Sequence, residues 1–268
     1  MILLRRLSKT KIPKEKLGAF PFNTNVISSL STINFSQPVT IFVGENGSGK
    51  STLLEGIAAA CSLPIVGSKN INLDETLKYV SEVAGYLNLS WSLKNNKGFF
   101  LRAEDFFGFT KKLNRLRAEL EKEIERLDKK LPDGYGKDLA IGSIRGQISG
   151  LTQRYGVDLG AASHGESFLK LFQSRIQPNG LYLLDEPETP LSPIRQMSLL
   201  RLISDSVKRN CQFIIATHSP ILMAYPNATI LNFNSFPLES IKYDEIDHVQ
   251  NLKGFLLNKE TYLKRLLE

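Results

Sequence analysis

The chain has 268 residues, 42% of them apolar and 23% charged, enough to bury a sizeable core as one large or two small domains. No apolar run approaches the roughly 20 residues of a membrane helix, the first ten residues lead to no small-residue cleavage site, and Cys61 and Cys211 are too far apart in sequence to read as a disulfide framework or a metal spacing. A cytoplasmic protein without membrane attachment is expected, and its net charge of +7 suits either a nucleic-acid partner or a solvated basic surface.

In chain order, residues 2–7 and 38–43 read as short strands, the second running into a glycine-rich turn, and residues 51–61 continue as an apolar helix. Strand, glycine loop and helix form the opening unit of a nucleotide-binding α/β domain. Residues 98–102 are strand-like. From about residue 106 to 160 the composition changes: Leu113, Leu116, Leu120, Ile124, Leu127 and Leu131 recur at spacings of three and four among Lys, Arg and Glu, which predicts an amphipathic helix roughly 30 Å long. Pro132-Asp133-Gly134 ends it, and residues 138–156 form a second helix weakened by four glycines. A small helical lobe packed on the domain is expected, with a truncated coiled-coil arm as the alternative. Residues 181–184 and 212–216 are compact apolar runs on either side of a helical stretch, 192–209. Continuous apolar strands suit a sheet covered on both faces.

Three stretches carry chemistry. Gly44-Glu45-Asn46-Gly47-Ser48-Gly49-Lys50-Ser51 has the phosphate-loop spacing, with a strand before it and a helix after it. Its glycines let backbone N–H groups turn onto phosphates at a helix N-terminus. Lys50 would reach the β and γ phosphates, Ser51 would ligate Mg²⁺, and Thr52 follows in the first helical turn. Leu181-Tyr182-Leu183-Leu184-Asp185-Glu186 delivers two carboxylates to a strand tip, where ligands collect in open α/β sheets. Asp185 would hold Mg²⁺, and Glu186 would act as general base toward the attacking water. Ile214-Ile215-Ala216-Thr217-His218 presents a histidine at another strand end, as a γ-phosphate sensor.

Phosphate loop, then Ser163-His164-Gly165-Glu166, then apolar-Asp185-Glu186, then His218 is the order of an ABC-class ATPase head, and the set resembles that family. With Gly98-Phe99-Phe100-Leu101-Arg102-Ala103-Glu104 and Ser219-Pro220-Ile221-Leu222 added, the chain is similar over nearly its whole length to small stand-alone bacterial ATPases with ABC-type, SMC-like heads, grouped as AAA family ATPases.

The resemblance implies an α/β P-loop NTPase fold: a mixed or parallel central sheet, flanking helices and a small helical lobe. It divides the chain into 1–105 and 161–268 as the two parts of the core, with 106–160 as the lobe. It also implies that Ser163, Gly165 and Glu166, at a helix start, bind the γ-phosphate held by an opposite subunit, with His164 in place of the family's usual glycine. Residues 188–192 stand where a loop crosses the dimer interface, ending in Ser192 rather than Asp. Glu104 stands where the family carries a Mg²⁺-linked glutamine, and an ordinary acid at a helix start explains it equally.

The expected function is a non-transport ATPase binding ATP and Mg²⁺ in a head-to-tail homodimer that works as a switch. A nucleic-acid clamp of the DNA-repair type and the ATP-binding subunit of a transporter are the alternatives, and an effector protein is a possible partner. Phe20 and Phe22 either stack on adenine or belong to the core.

Overall fold

The structure is a computed structural model and describes residues 1–66, 78–155 and 164–267. The chain opens with β1 (Leu4–Lys9), α1 (Asn25–Ser29), β2 (Thr32–Asn34), β3 (Val39–Val43), α2 (Lys50–Ala60), α3 (Lys78–Ala84) and β4 (Leu87–Trp91). Strands β2, β1 and β4 form a small antiparallel sheet, with Leu7 opposite Ile33 on one side and Leu89 on the other. The chain continues through β5 (Gly98–Arg102), α4 (Ala103–Lys130), α5 (Tyr135–Tyr155), α6 (His164–Arg175), β6 (Leu181–Asp185), α7 (Pro193–Val207), β7 (Gln212–Ala216), α8 (Pro220–Met223), β8 (Thr229–Asn232) and β9 (Glu239–Ser240). Two helices, α9 (Asp247–Leu257) and α10 (Lys259–Leu267), follow. The second sheet has the order β5-β6-β7-β3-β8-β9, parallel except for the antiparallel edge strand β9.

Every residue of β3, β6 and β7 is buried, because both faces of the sheet are covered. Phe42 faces one core with Phe22, Leu53, Leu54 and Ile57. Val39, Ile41 and Val43 face the other, with Phe168, Phe172, Leu199 and Ile203. An alternation of polar and apolar positions would put many polar groups into these cores, so the strands are apolar apart from Thr40 inside β3 and the end residues Asp185 and Gln212. Full burial of a side chain the size of Phe42 contributes about 1.5–3 kcal/mol.

One polar side chain joins the two sheets. Gln212, fully buried at the start of β7, accepts from the N–H groups of Leu3 and Leu4 at 2.9 and 2.8 Å, and donates to the carbonyl of Leu4 at 3.0 Å.

The helical lobe is an antiparallel hairpin of α4 and α5. Helix α4 begins at Ala103, directly at the end of β5, and its 28 residues span ~42 Å at 1.5 Å per residue. The leucine spacing gave the shorter expectation because the first two turns are fastened to the body through buried Ala103, Phe106 and Thr110, upstream of the leucine series. At the tip, the Lys137 ammonium sits 2.9 Å from Asp128 and 2.8 Å from Asp133, closing the hairpin. Helix α5 runs from Tyr135 to Tyr155 through its glycines. Exposed pairs such as Arg117 with Glu121 and Arg126 with Glu123 line α4, so part of its basic charge is met by its own acids.

Candidate functional site

The loop between β3 and α2 is shaped by its glycines. Gly49 has φ +91° and forms the N-cap of α2, and a Cβ there would lie 2.3 Å from Cγ1 of Val26. Only a residue without a side chain fits both the left-handed backbone and the contact with α1. Lys50, 5% exposed, folds back so that its ammonium donates to the carbonyls of Gly44 and Glu45, each at 2.8 Å. Burial lowers its pKa, and the field of Glu186, Asp185 and Glu188 pulls it back up. An anion entering the loop would offer the ammonium stronger acceptors than these two carbonyls.

Strand order supplies the rest. Since β7 lies between β6 and β3, the segment after β7 separates the carboxylate-bearing tip from the glycine loop, and α2 reaches across it. The Ser51 hydroxyl donates to Asp185 Oδ1 at 3.1 Å. Asp185 is 8% exposed, and burial is the main cause that pushes its carboxyl up to about 7, opposed by the Ser51 hydrogen bond and the Arg102 charge. A hydroxyl and a desolvated carboxylate without an ion-pair partner among the described residues suit a hard divalent cation. Ser51 and Asp185 would hold it.

Glu186, one residue past the strand, has φ +47°. Its N–H donates to Ala216 at 2.9 Å and its carbonyl accepts from Thr189 at 3.1 Å. This left-handed turn carries its side chain off the strand direction, to 3.9 Å from Nε2 of His218. That separation exceeds a hydrogen bond, and His218 Nε2 is buried with no hydrogen-bond partner among the described residues. Burial and the Lys50 charge lower the histidine's pKa, Glu186 opposing, which favours a neutral ring. The His218 backbone is fixed by Glu188, whose Oε1 accepts from its N–H at 2.6 Å. Burial raises the Glu188 pKa.

Lys50, Ser51, Asp185, Glu186 and His218 therefore converge on one ledge at the strand tips, beside the loop of Gly44, Glu45, Asn46, Gly47, Ser48 and Gly49, with Thr52 in the first turn of α2. Gly165 and Glu166 belong to a different corner. Gly165 packs in the first turn of α6 so closely that a Cβ would meet the Pro190 carbonyl at 3.0 Å. Glu166 is bound within the chain, to Lys170 at 3.3 Å and Arg195 at 3.4 Å, and these cations lower its pKa. Ser163 and the side chain of Glu104 lie outside the described part of the structure. Of the early aromatic pair, Phe22 is core and Phe20 is 57% exposed, edge-on to Tyr79.

Several site residues carried no sequence signal of their own. Asn234 accepts from the Glu45 N–H at 2.7 Å, bracing the loop from the end of β8. Together with Gly44, His218, Asp247 and His248 it lines a cavity of about 250 Å³ beside the loop. Glu188 was placed only as the start of an interface loop. Arg102 and Glu55 form an ion pair at 3.4 Å beneath Asp185. Sheet order, which the sequence does not print, creates all of these contacts.

A glycine loop between β3 and α2, with acidic and histidine-bearing tips on the adjacent parallel strands β6 and β7, is an arrangement suited to a phosphate-bearing ligand and a divalent cation. Residues 22–149 match the family model described as an AAA domain, and that segment contains the phosphate loop. No curated protein matches the chain.

Similar solved structures include the SMC head domain from Thermotoga maritima, at 18% identity, TM-score 0.41, covering 86% of this chain and 94% of that one. The SMC head of Pyrococcus furiosus, bound to the C-terminal domain of ScpA, has 13% identity, TM-score 0.47 and coverages of 95% and 100%. The cbiO1 protein of Clostridium perfringens, part of an ABC transporter complex, has 14% identity, TM-score 0.43 and coverages of 99% and 100%. Among the described residues no helix is long and apolar enough to cross a membrane.

Proposed function

We propose that this protein is a cytoplasmic, non-transport ABC-type ATPase that binds ATP with Mg²⁺ and hydrolyses it in a head-to-tail homodimer, so that the cycle of association works as a switch. The division into core segments 1–105 and 161–268 and a lobe, 106–160, belongs to the same reading. The observation that carries it is the approach of Glu186 to 3.9 Å from His218 Nε2, which is buried and has no hydrogen-bond partner among the described residues, on the ledge that also holds Lys50.

In this reading Lys50 exchanges its two carbonyl contacts for phosphate oxygens. The phosphate oxygens also receive the amides of the glycine loop. Glu186 accepts a proton from the attacking water, and His218 donates from Nε2 to the transferring phosphate. Ser51 and Asp185 hold the Mg²⁺, which when bound offsets charge on the phosphates. Glu104 is a candidate to assist them. The corner at Ser163, Gly165 and Glu166 completes the phosphate site of the second copy. Gly165's tight seat against Pro190 and the Glu166–Arg195 pair support it, because they fix the start of α6 to the loop ahead of α7. DNA or an effector protein would be the receiver of the switch.

The test is Glu186→Gln. ATP binding should persist, turnover should fall about 100-fold or more, and size-exclusion chromatography with ATP should show a trapped dimer. A variant that stays monomeric at saturating ATP and Mg²⁺ would sink the dimer reading.

A further inference from the structure

We propose that Arg102 is a positioning residue that ties the metal-holding end of β6 to the α4–α5 hairpin through Glu55. The proposal rests on the ATPase reading above.

Arg102 and Asp185 are register partners on neighbouring parallel strands, so the arginine's backbone moves with the carboxylate that would hold the cation. Arg102 is also the residue immediately before α4, so the 28-residue helix begins where the arginine ends. Its side chain is 16% exposed, lies over the Phe100 ring with 5.4 Å from Cζ to the centroid, and puts Nε 3.4 Å from Glu55 Oε1 and 3.9 Å from Asp105 Oδ2. The other Glu55 oxygen accepts from the Tyr79 hydroxyl at 2.8 Å.

Glu55 stands four residues after Ser51, and residues at that spacing share one face of a helix. Helix α2 is thus pinned at two points on two adjacent strand ends, by Ser51 to Asp185 on β6 and by Glu55 to Arg102 on β5. The first pin is remade when Ser51 and Asp185 turn to a metal ion. The second is a buried ion pair, which keeps its geometry because separating its charges in a desolvated site is costly. A small rotation of α2 against β6 is therefore passed to Arg102, and from there to the first turn of α4.

The guanidinium is only partly satisfied. Neither Nε nor Nη2 has a hydrogen bond among the described residues, so the contact is held by charge and by the packing of the guanidinium over the Phe100 ring.

The experiment compares wild type, Arg102→Lys, Arg102→Ala and the exchange Arg102→Glu with Glu55→Arg. It measures ATP affinity, kcat, and amide exchange of the α4–α5 hairpin with and without ATP and Mg²⁺. In wild type the nucleotide should change protection in the first turns of α4. Arg102→Ala should bind ATP within about threefold of wild type yet lose about 10- to 100-fold in kcat, the range for groups that orient metal ligands, and the nucleotide-dependent change in α4 should vanish. Arg102→Lys should recover most of both, and the exchange part of both, which a loss of packing alone would not allow.

Wild-type protein that binds ATP without any change in α4 protection overturns the coupling, and that result needs no variant. So does Arg102→Ala or Arg102→Lys with normal kcat and a normal response. Should Arg102→Ala fail to fold, Arg102→Lys and the wild-type exchange data still decide. Wild-type protein that neither binds nor hydrolyses ATP instead removes the ATPase reading.

Discussion

Asp185→Asn separates the cost of the site from its use. The Asp185 carboxyl is raised from its ordinary 3.8 to about 7, chiefly by burial. Since its folded value lies above the unfolded one, the stability it supports is fully present below pH 3.8 and is lost as pH rises through about 7. At 1.36 kcal/mol per pH unit, the ionised group costs the ligand-free fold ~4 kcal/mol as a ceiling. Asparagine keeps an acceptor for the Ser51 hydroxyl and removes the charge. At pH 8, without nucleotide or metal, the variant should melt at least about 4 °C above wild type, taking half of that energy and about 2 °C per kcal/mol for a chain of this size. At pH 4.5 the difference should shrink to about a quarter of that. Adding ATP with Mg²⁺ at pH 8 should raise the wild-type melting temperature far more than the variant's. Scanning calorimetry at the two pH values reads all three effects. A variant that melts at or below wild type at pH 8 without ligands would refute the account of a desolvated carboxylate awaiting a cation.

Lys50→Ala should cost about 10- to 100-fold in ATP affinity, the worth of one or two charge-assisted hydrogen bonds, while leaving unfolding by urea nearly unchanged, because a desolvated ammonium is removed with its contacts. An unaltered dissociation constant in fluorescent-nucleotide titration would contradict the loop assignment. Gly49→Ala adds left-handed strain of about 1–2 kcal/mol and an overpacking cost of about 1–3 kcal/mol, from the 2.3 Å approach to Val26. Its urea midpoint should fall accordingly, and an unchanged midpoint would mean that α1 is not seated as described.

How much of this was legible in the sequence depended on the range of the interaction. Strands β5 and β7 coincide at both ends with the expected runs, 98–102 and 212–216, because burial on both faces leaves a continuous apolar signature. Short strands with polar ends, β8 and β9, left no such trace. The phosphate loop was legible because its chemistry is local: glycine spacing, one lysine, one hydroxyl. The link from Ser51 to Asp185 could be anticipated from shared affinity for a cation, although 134 positions separate them.

The pair of Arg102 and Glu55, and the brace from Asn234 to the Glu45 amide, were not legible. They exist only because β5 lies beside β6 and β8 beside β3. Glu188 stood in plain view as one acid among several, and only its burial against the His218 amide distinguishes it from a solvated turn residue.

The Gln212 side chain has a consequence for how the molecule comes apart. It satisfies three backbone groups of the N-terminal strand from inside the core. Peeling that strand away would strand an amide in a dry interior and leave three main-chain groups without the partner they now share. Fraying from the amino end is therefore penalised twice, and the antiparallel ribbon and the parallel sheet are bound to melt together as a single cooperative block.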